Sequence, residues 1–371
     1  MIISEADATW AADEFINYFG NFTSIEDYLR FVKRELVPKT NPLMSHEDEF
    51  FNEDISPEEM EFEIRFIGDR FPNSLPQDHY KNLLAAVSSH NNESNIPGRE
   101  LRWMVYEKRT QKIVGFIRFG SPTINCKPRN DWLGKPPELK RFNRHSIMGF
   151  IIVPTQPFGF NYLGGKLLAL LCCSHEAREQ LNSKYGSDIC LFETTSLYGT
   201  TKSSSQYDGL KPYMRYKGLT MSDFTPLLHD DVFKGLNKWF IARNNDKLLV
   251  KEDASSRKLK TQQKMISIIK KNSSSQKAAE FQTAIVNAKN LTEKKRVYFS
   301  DYGFANSREV IRGDTDKLEK NPINFDKFYQ ENLIKWWKNK ASKRYESLKS
   351  SGSLRTELEV WNKDMHIDII R

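Results

Sequence analysis

The apolar run Ile147-Met148-Gly149-Phe150-Ile151-Ile152-Val153 is halted by Pro154. It opens into the turn Thr155-Gln156-Pro157-Phe158-Gly159-Phe160-Asn161-Tyr162-Leu163-Gly164-Gly165-Lys166. A continuous apolar run stopped by proline reads as a buried central strand. The glycine-bearing turn then leads into a helix expected from about 163 to 181. Asp188-Ile189-Cys190-Leu191-Phe192-Glu193-Thr194 reads as the next strand. Strand, helix and strand imply a parallel pair with a right-handed crossover.

Upstream, Leu101, Trp103 and Val105 alternate with their neighbours, and Ile113 to Phe119 is strand-like. Together they predict a β-hairpin around Lys108-Arg109-Thr110-Gln111. The hairpin makes the sheet mixed. Residues 121–145 carry Pro, Gly and basic residues without a period and read as loop, as do residues 71–100 around Leu83-Leu84-Ala85. Ser24-Ile25-Glu26-Asp27 starts one helix, ended by Pro38 and Pro42. Ser56-Pro57-Glu58-Glu59 looks like the start of a second, carrying Met60, Phe62, Ile64, Phe66 and Ile67. A short helix is expected near 207–216, helical fragments at 265–269 and 278–286, and a long helix from Phe325 to Leu348, stopped by Ser350-Ser351-Gly352.

The 371 residues include 24 Phe, 14 Tyr and 7 Trp, enough apolar material to build large cores. No apolar run reaches the ~18–20 residues of a membrane span. The acidic start does not read as a secretory signal. The four cysteines fit neither a disulfide framework nor a zinc template. The expectation is a cytoplasmic protein with no metal and no membrane partner.

Net charge is +8 and uneven. Residues 1–63 hold 16 Asp/Glu against 4 Lys/Arg, whereas 251–298 hold 12 Lys/Arg against 4 Asp/Glu. Such asymmetry points to a polyanion, nucleic acid above all, as partner of the later part. A solvated basic surface is the alternative. The candidate contacts are Arg141, Arg144, Lys258, Lys260, Lys264, Lys270, Lys271, Lys294, Lys295 and Arg296. The basic segment is expected to be an appendage whose removal after about residue 250 leaves a folded core. Three parts follow: an acidic helical segment 1–60, an α/β core 61–225 and a basic helical region 226–371.

Amides at a helix N-terminus attract phosphate, so Gly159, Gly164, Gly165 and Lys166 are candidate cofactor contacts. An ordinary strand-to-helix turn, with glycines for close packing, is the alternative. Glu193 ends a strand where open α/β sheets bind ligands. It is a candidate base with Tyr213 as the acid, or else a hydrogen-bonded structural carboxylate.

The succession of elements resembles the GNAT acetyltransferase superfamily, whose loop after the central strand carries (Gln/Arg)-x-x-Gly-x-(Gly/Ala) and holds the pyrophosphate of acyl-coenzyme A. Gln156 and Gly159 match, and Asn161 departs from the last small position. This likeness implies a GNAT-like mixed sheet with flanking helices, and Val153, Gln156, Gly159, Asn161, Gly164, Gly165 and Lys166 around the cofactor. Residues 130–222 also resemble the DruA family of the Druantia anti-phage system. The matches are Asp131-Trp132-Leu133-Gly134, Phe150-Ile151-Ile152-Val153-Pro154, Asn161-Tyr162-Leu163-Gly164, Lys184-Tyr185-Gly186, Cys190-Leu191-Phe192-Glu193-Thr194-Thr195, Ser205-Gln206-Tyr207 and Lys217-Gly218-Leu219-Thr220. Lys135 and Ser205-Gln206 depart from the family pattern. That resemblance implies a phage–host setting with DNA as target. Three readings stay open: an acyltransferase acting on nucleic acid or a nucleic-acid-bound target, a non-enzymatic DNA-binding component of a phage or defence complex, and a virion or assembly protein.

Overall fold

Seven strands form one mixed sheet in the order β1-β2-β3-β4-β5-β7-β6. They are β1 (Phe62–Ile67), β2 (Glu100–Glu107), β3 (Lys112–Gly120), β4 (Ser146–Pro154), β5 (Leu191–Ser196), β6 (Arg215–Leu219) and β7 (Arg296–Ser300). The coordinates are a computed structural model describing residues 1–36, 49–68, 77–87, 98–196, 204–221, 226–254, 256–291 and 294–360. The chain divides into two units, each built from separate stretches. One joins 1–32 to 222–293, and the other joins 33–221 to residues from 294 on. The divisions fall at 32/33, 221/222 and 293/294.

The sheet belongs to the second unit. Its β4–β5 pair is parallel and every other pair is antiparallel. The expected hairpin and parallel crossover are both present. Period-2 alternation sends Trp103, Val105 and Ile117 into one cluster and Met104, Tyr106 and Phe116 into another, so both faces are covered. On the first face lie α6 (Phe158–Asn161), α7 (Gly164–Cys172) and α13 (Gln330–Ser350). Leu167, Leu168, Leu170 and Leu171 are fully buried there, each adding roughly 1.5–3 kcal/mol. On the second face α3 (Gln77–Val87) sets Tyr80 against Phe116.

Several expectations change. Met60, Phe62, Ile64 and Phe66 alternate, and the period of two makes β1 after a single 3-10 turn at Pro57–Glu59, not a helix. Leu83 and Leu84 belong to α3, not to a loop. Residues 121–145 contain α4 (Lys127–Leu133), with Pro128 in its first turn and left-handed Gly134 at its end, and α5 (Leu139–His145), capped by Glu138. The helix expected over 163–181 breaks at Cys173, because the Ser174 hydroxyl accepts the Ala177 amide and starts α8 (His175–Tyr185). Near 207–216 there are turns through Pro212 and then β6, not a helix. α12 (Ser307–Arg312) also belongs to this unit.

The first unit is helical: α1 (Glu5–Gly20), the part of α2 (Ile25–Leu36) up to residue 32, α9 (Asp230–Arg243), α10 (Arg257–Asn272) and α11 (Ser275–Asn290). Ala8, Ala11, Ala12, Phe15 and Phe19 make one buried stripe of α1. Phe15 meets Phe281 of α11 edge-on at 5.7 Å, and Met265, Ile268 and Ile269 of α10 complete the cluster. The expected fragments 265–269 and 278–286 lie inside α10 and α11. Pro38 and Pro42 lie outside the described residues.

Candidate functional site

The turn after β4 is packed with the protein's own groups. A Cβ on Gly164 would lie 2.6 Å from the Phe158 ring, and one on Gly165 would fall onto the Gln206 amide. Both glycines are buried, and close approach is what they permit. Gln156 accepts the Phe160 amide at 2.9 Å, and Gly159 donates to the Thr155 carbonyl at 2.7 Å. Asn161 spends both ends of its amide on the Arg355 backbone, at 2.8 and 3.0 Å. Val153 packs into the apolar cluster of the second sheet face. The Lys166 ammonium donates to the carbonyls of Gln206, at 3.1 Å, and Asp208, and burial lowers its pKa.

These residues do not fit the pyrophosphate of acyl-coenzyme A as they stand. The space beside both glycines is filled, and the Asn161 and Lys166 donors are engaged. The filling segment is itself anchored. Asp208 takes the Tyr298 hydroxyl at 2.8 Å, Arg296 at 3.1 Å and the Ser205 amide at 2.8 Å. Pairing between β4 and β5 ends at Gly149–Thr194 while β4 runs on to Pro154, and Gln206 donates to the Ile152 carbonyl at 3.3 Å in the gap.

Glu193 lies inside β5, between Met148 of β4 and Phe299 of β7. It is 3% exposed, and Arg129 of α4 meets it at 3.0 Å. Arg129, fully buried, also donates to the Thr123 and Ile124 carbonyls and lies over the Phe142 ring. Burial pushes the Glu193 carboxyl up to about 7, with Arg129 pulling the other way. Tyr213 sits elsewhere, edge-on to Phe328 and Trp336. Among the described residues no hydrogen bond joins it to Glu193. Sequence reasoning missed Arg129, because an arginine in a basic, aperiodic stretch reads as surface.

The candidate nucleic-acid contacts divide between the units. Arg141 is consumed structurally, by Asp316 at 2.8 Å and the carbonyls of Val310 and Thr315. Arg296 pairs with Asp208, and Lys258 pairs with Asp230 at 2.7 Å. Arg144, Lys260, Lys264, Lys271 and Lys294 are exposed, while Lys270 and Lys295 are half-buried. No helix among the described residues is long and apolar enough to cross a membrane.

Residues 30–206 match the family described as Druantia protein DruA. This region is DruA-like. A relative in Escherichia coli (strain UMEA 4076-1), Druantia protein DruA, is 27% identical over 92 residues, which are 25% of this chain and 23% of that protein. The matched part thus spans about a quarter of the relative's length. No solved structure matches this chain. The DruA-like region takes in β1 to β5, α7, the buried pair Arg129–Glu193 and the filled turn after β4.

Proposed function

We propose that this chain is a nucleic-acid-contacting, DruA-like component of an anti-phage defence system. Its GNAT-like α/β core serves as a scaffold rather than as an acyl-transfer site. The succession of antiparallel hairpin, apolar strand, glycine turn, helix and parallel strand supports the GNAT-like part. The filled turn at Gly164-Gly165 and the sealed Glu193 favour binding over acyl transfer.

The single observation that carries nucleic-acid contact is the outer face of α10. Arg257, Lys260, Lys264 and Lys271 recur at helical spacing, all exposed, along the flank of the face that buries Met265, Ile268 and Ile269. The helix contains no acidic residue. At 1.5 Å per residue the stripe runs about 21 Å, long enough to follow several phosphates.

The test is DNA binding by full-length protein over a salt series. Lys264→Glu/Lys271→Glu should weaken binding at least tenfold and flatten the log–log salt slope by about 2, since each cation releases about one counterion. An unchanged slope rejects α10 as the contact. An acetyl-coenzyme A titration followed by melting temperature tests the acyltransferase reading, because a ligand of the native state must raise the melting temperature.

A further inference from the structure

A second concave place lies at the β6–β7 end of the sheet, a cleft of about 230 Å3 whose walls include Trp132, Phe299 and Phe304. Trp132 and Phe299 have ring centroids 5.6 Å apart. Arg215, Lys217 and Arg308 also line it, with two carboxylates, the half-buried Asp301 and the exposed Glu309. The Lys217 ammonium lies 5.3 Å from the Trp132 ring centre and 6.0 Å from that of Phe299.

The charges here are unbalanced. Among the described residues none of these three cations forms an ion pair or a side-chain hydrogen bond. The Arg308 Nε is buried with no partner at all. Asp301 turns one oxygen to the Gly303 amide at 2.9 Å instead of to a cation. Burial, then the neighbouring Arg215 and Arg308, lower the Lys217 pKa, and the opposing pull of Asp301 does not cancel them. Such a group gains most from an anion. The aromatic walls add faces on which a planar ring stacks.

We propose that this cleft binds a nucleoside phosphate, with the base against Trp132 and the phosphate on Arg215, Lys217 and Arg308. Asp301 is placed as an acceptor for an exocyclic amine or ring N–H of the base. The cleft is smaller than the roughly 300–1,000 Å3 of ordinary small-molecule sites, so it takes the base and leaves the rest at its mouth. A free nucleotide and an unstacked nucleotide of a single strand share this chemistry. The proposal does not depend on α10.

The experiment titrates full-length protein by calorimetry with AMP and, separately, with a five-nucleotide oligo(dA) single strand. Adenosine and inorganic phosphate are the controls. Binding of AMP is expected to weaken about tenfold in Lys217→Ala and again in Arg308→Ala, as for loss of a charge-assisted contact. Trp132→Ala should lose about as much and Trp132→Phe little, since stacking needs only an aromatic face. Binding of the strand alone, with the same sensitivity, supports the site and identifies a strand as its source. Lys264→Glu/Lys271→Glu should leave AMP binding unchanged, which separates this site from the α10 contact. Because Lys217 and Arg308 form no ion pair or side-chain hydrogen bond among the described residues, both alanine variants should stay folded, Lys217→Ala losing only its contact with the Trp132 and Phe299 rings. The proposal is overturned if neither AMP nor the strand binds, if phosphate alone binds as well as AMP, or if Lys217→Ala/Arg308→Ala binds like the parent.

Discussion

The guanidinium of Arg129 meets the carboxylate of Glu193 at 3.0 Å, and both side chains are buried. Removing one member of such a pair leaves a charge inside the protein, which typically costs about 3–5 kcal/mol. Arg129→Met should therefore destabilise strongly, the more so because the Thr123 and Ile124 carbonyls lose their donor. Arg129→Met/Glu193→Leu should recover most of that loss. Chemical denaturation of the single and double variants checks it, and a double variant no better than Arg129→Met would refute the pairing argument.

The same carboxylate gives a pH signature. Its value is about 7 in the native protein against an ordinary 4.5. Between those limits the native state keeps a proton that the unfolded chain has released, so this group's contribution to stability falls as pH rises from about 4.5 to 7 and is flat above. Buried His145 and His175 have lowered pKa values and work in the opposite sense, losing stability as pH falls. Melting curves of the parent minus those of Glu193→Gln isolate the carboxylate. The difference should fall as pH rises through the window, and Glu193→Gln, which leaves Arg129 without its carboxylate, should still fold but melt below the parent.

Gly164 and Gly165 predict different outcomes for one small change. Gly164→Ala drives a methyl into the Phe158 ring and onto the Gly159 backbone, which should cost about 1–3 kcal/mol by overpacking. The nearest atoms to a Cβ on Gly165 all belong to the Gln206 side chain, down to its own Cβ at 3.3 Å. Gly165→Ala/Gln206→Ala clears the amide and should therefore lose less thermal stability than Gly164→Ala, the remaining loss being the donor to the Ile152 carbonyl.

Cutting the chain after residue 250 removes β7, which lies between β5 and β6, and α13, whose buried Trp337 donates to the Tyr162 carbonyl at 2.9 Å. It also strips α10 and α11 from α1. The truncated chain should show no cooperative unfolding transition by circular dichroism. A sharp transition would restore the view of the basic region as an appendage.

What the sequence disclosed follows its local patterns. The hairpin over 101–119 and the parallel neighbours β4 and β5 announce themselves by alternation and by an uninterrupted apolar run. β7 does not, because its five residues open on Arg296 after Lys294 and Lys295 and its partners lie far away in the chain. The turn after β4 was legible as strand, turn and helix. Its contents were not, since Gln206 and Arg355 reach Gly165 and Asn161 only through the tertiary fold. Arg129 was hidden for a like reason, as its burial is set by Glu193, 64 residues onward.

α1 is made well before the helices that cover its Phe15 and Phe19 stripe, the last of which ends at Asn290. At about 5–20 residues per second, that apolar face waits on the order of tens of seconds on the ribosome before its partners emerge. The nascent chain spends this interval as a target for holding chaperones, and slow translation of residues 222–293 lengthens the exposure. Separately expressed halves would meet the same difficulty permanently, so yield in the cell should depend on keeping the chain in one piece.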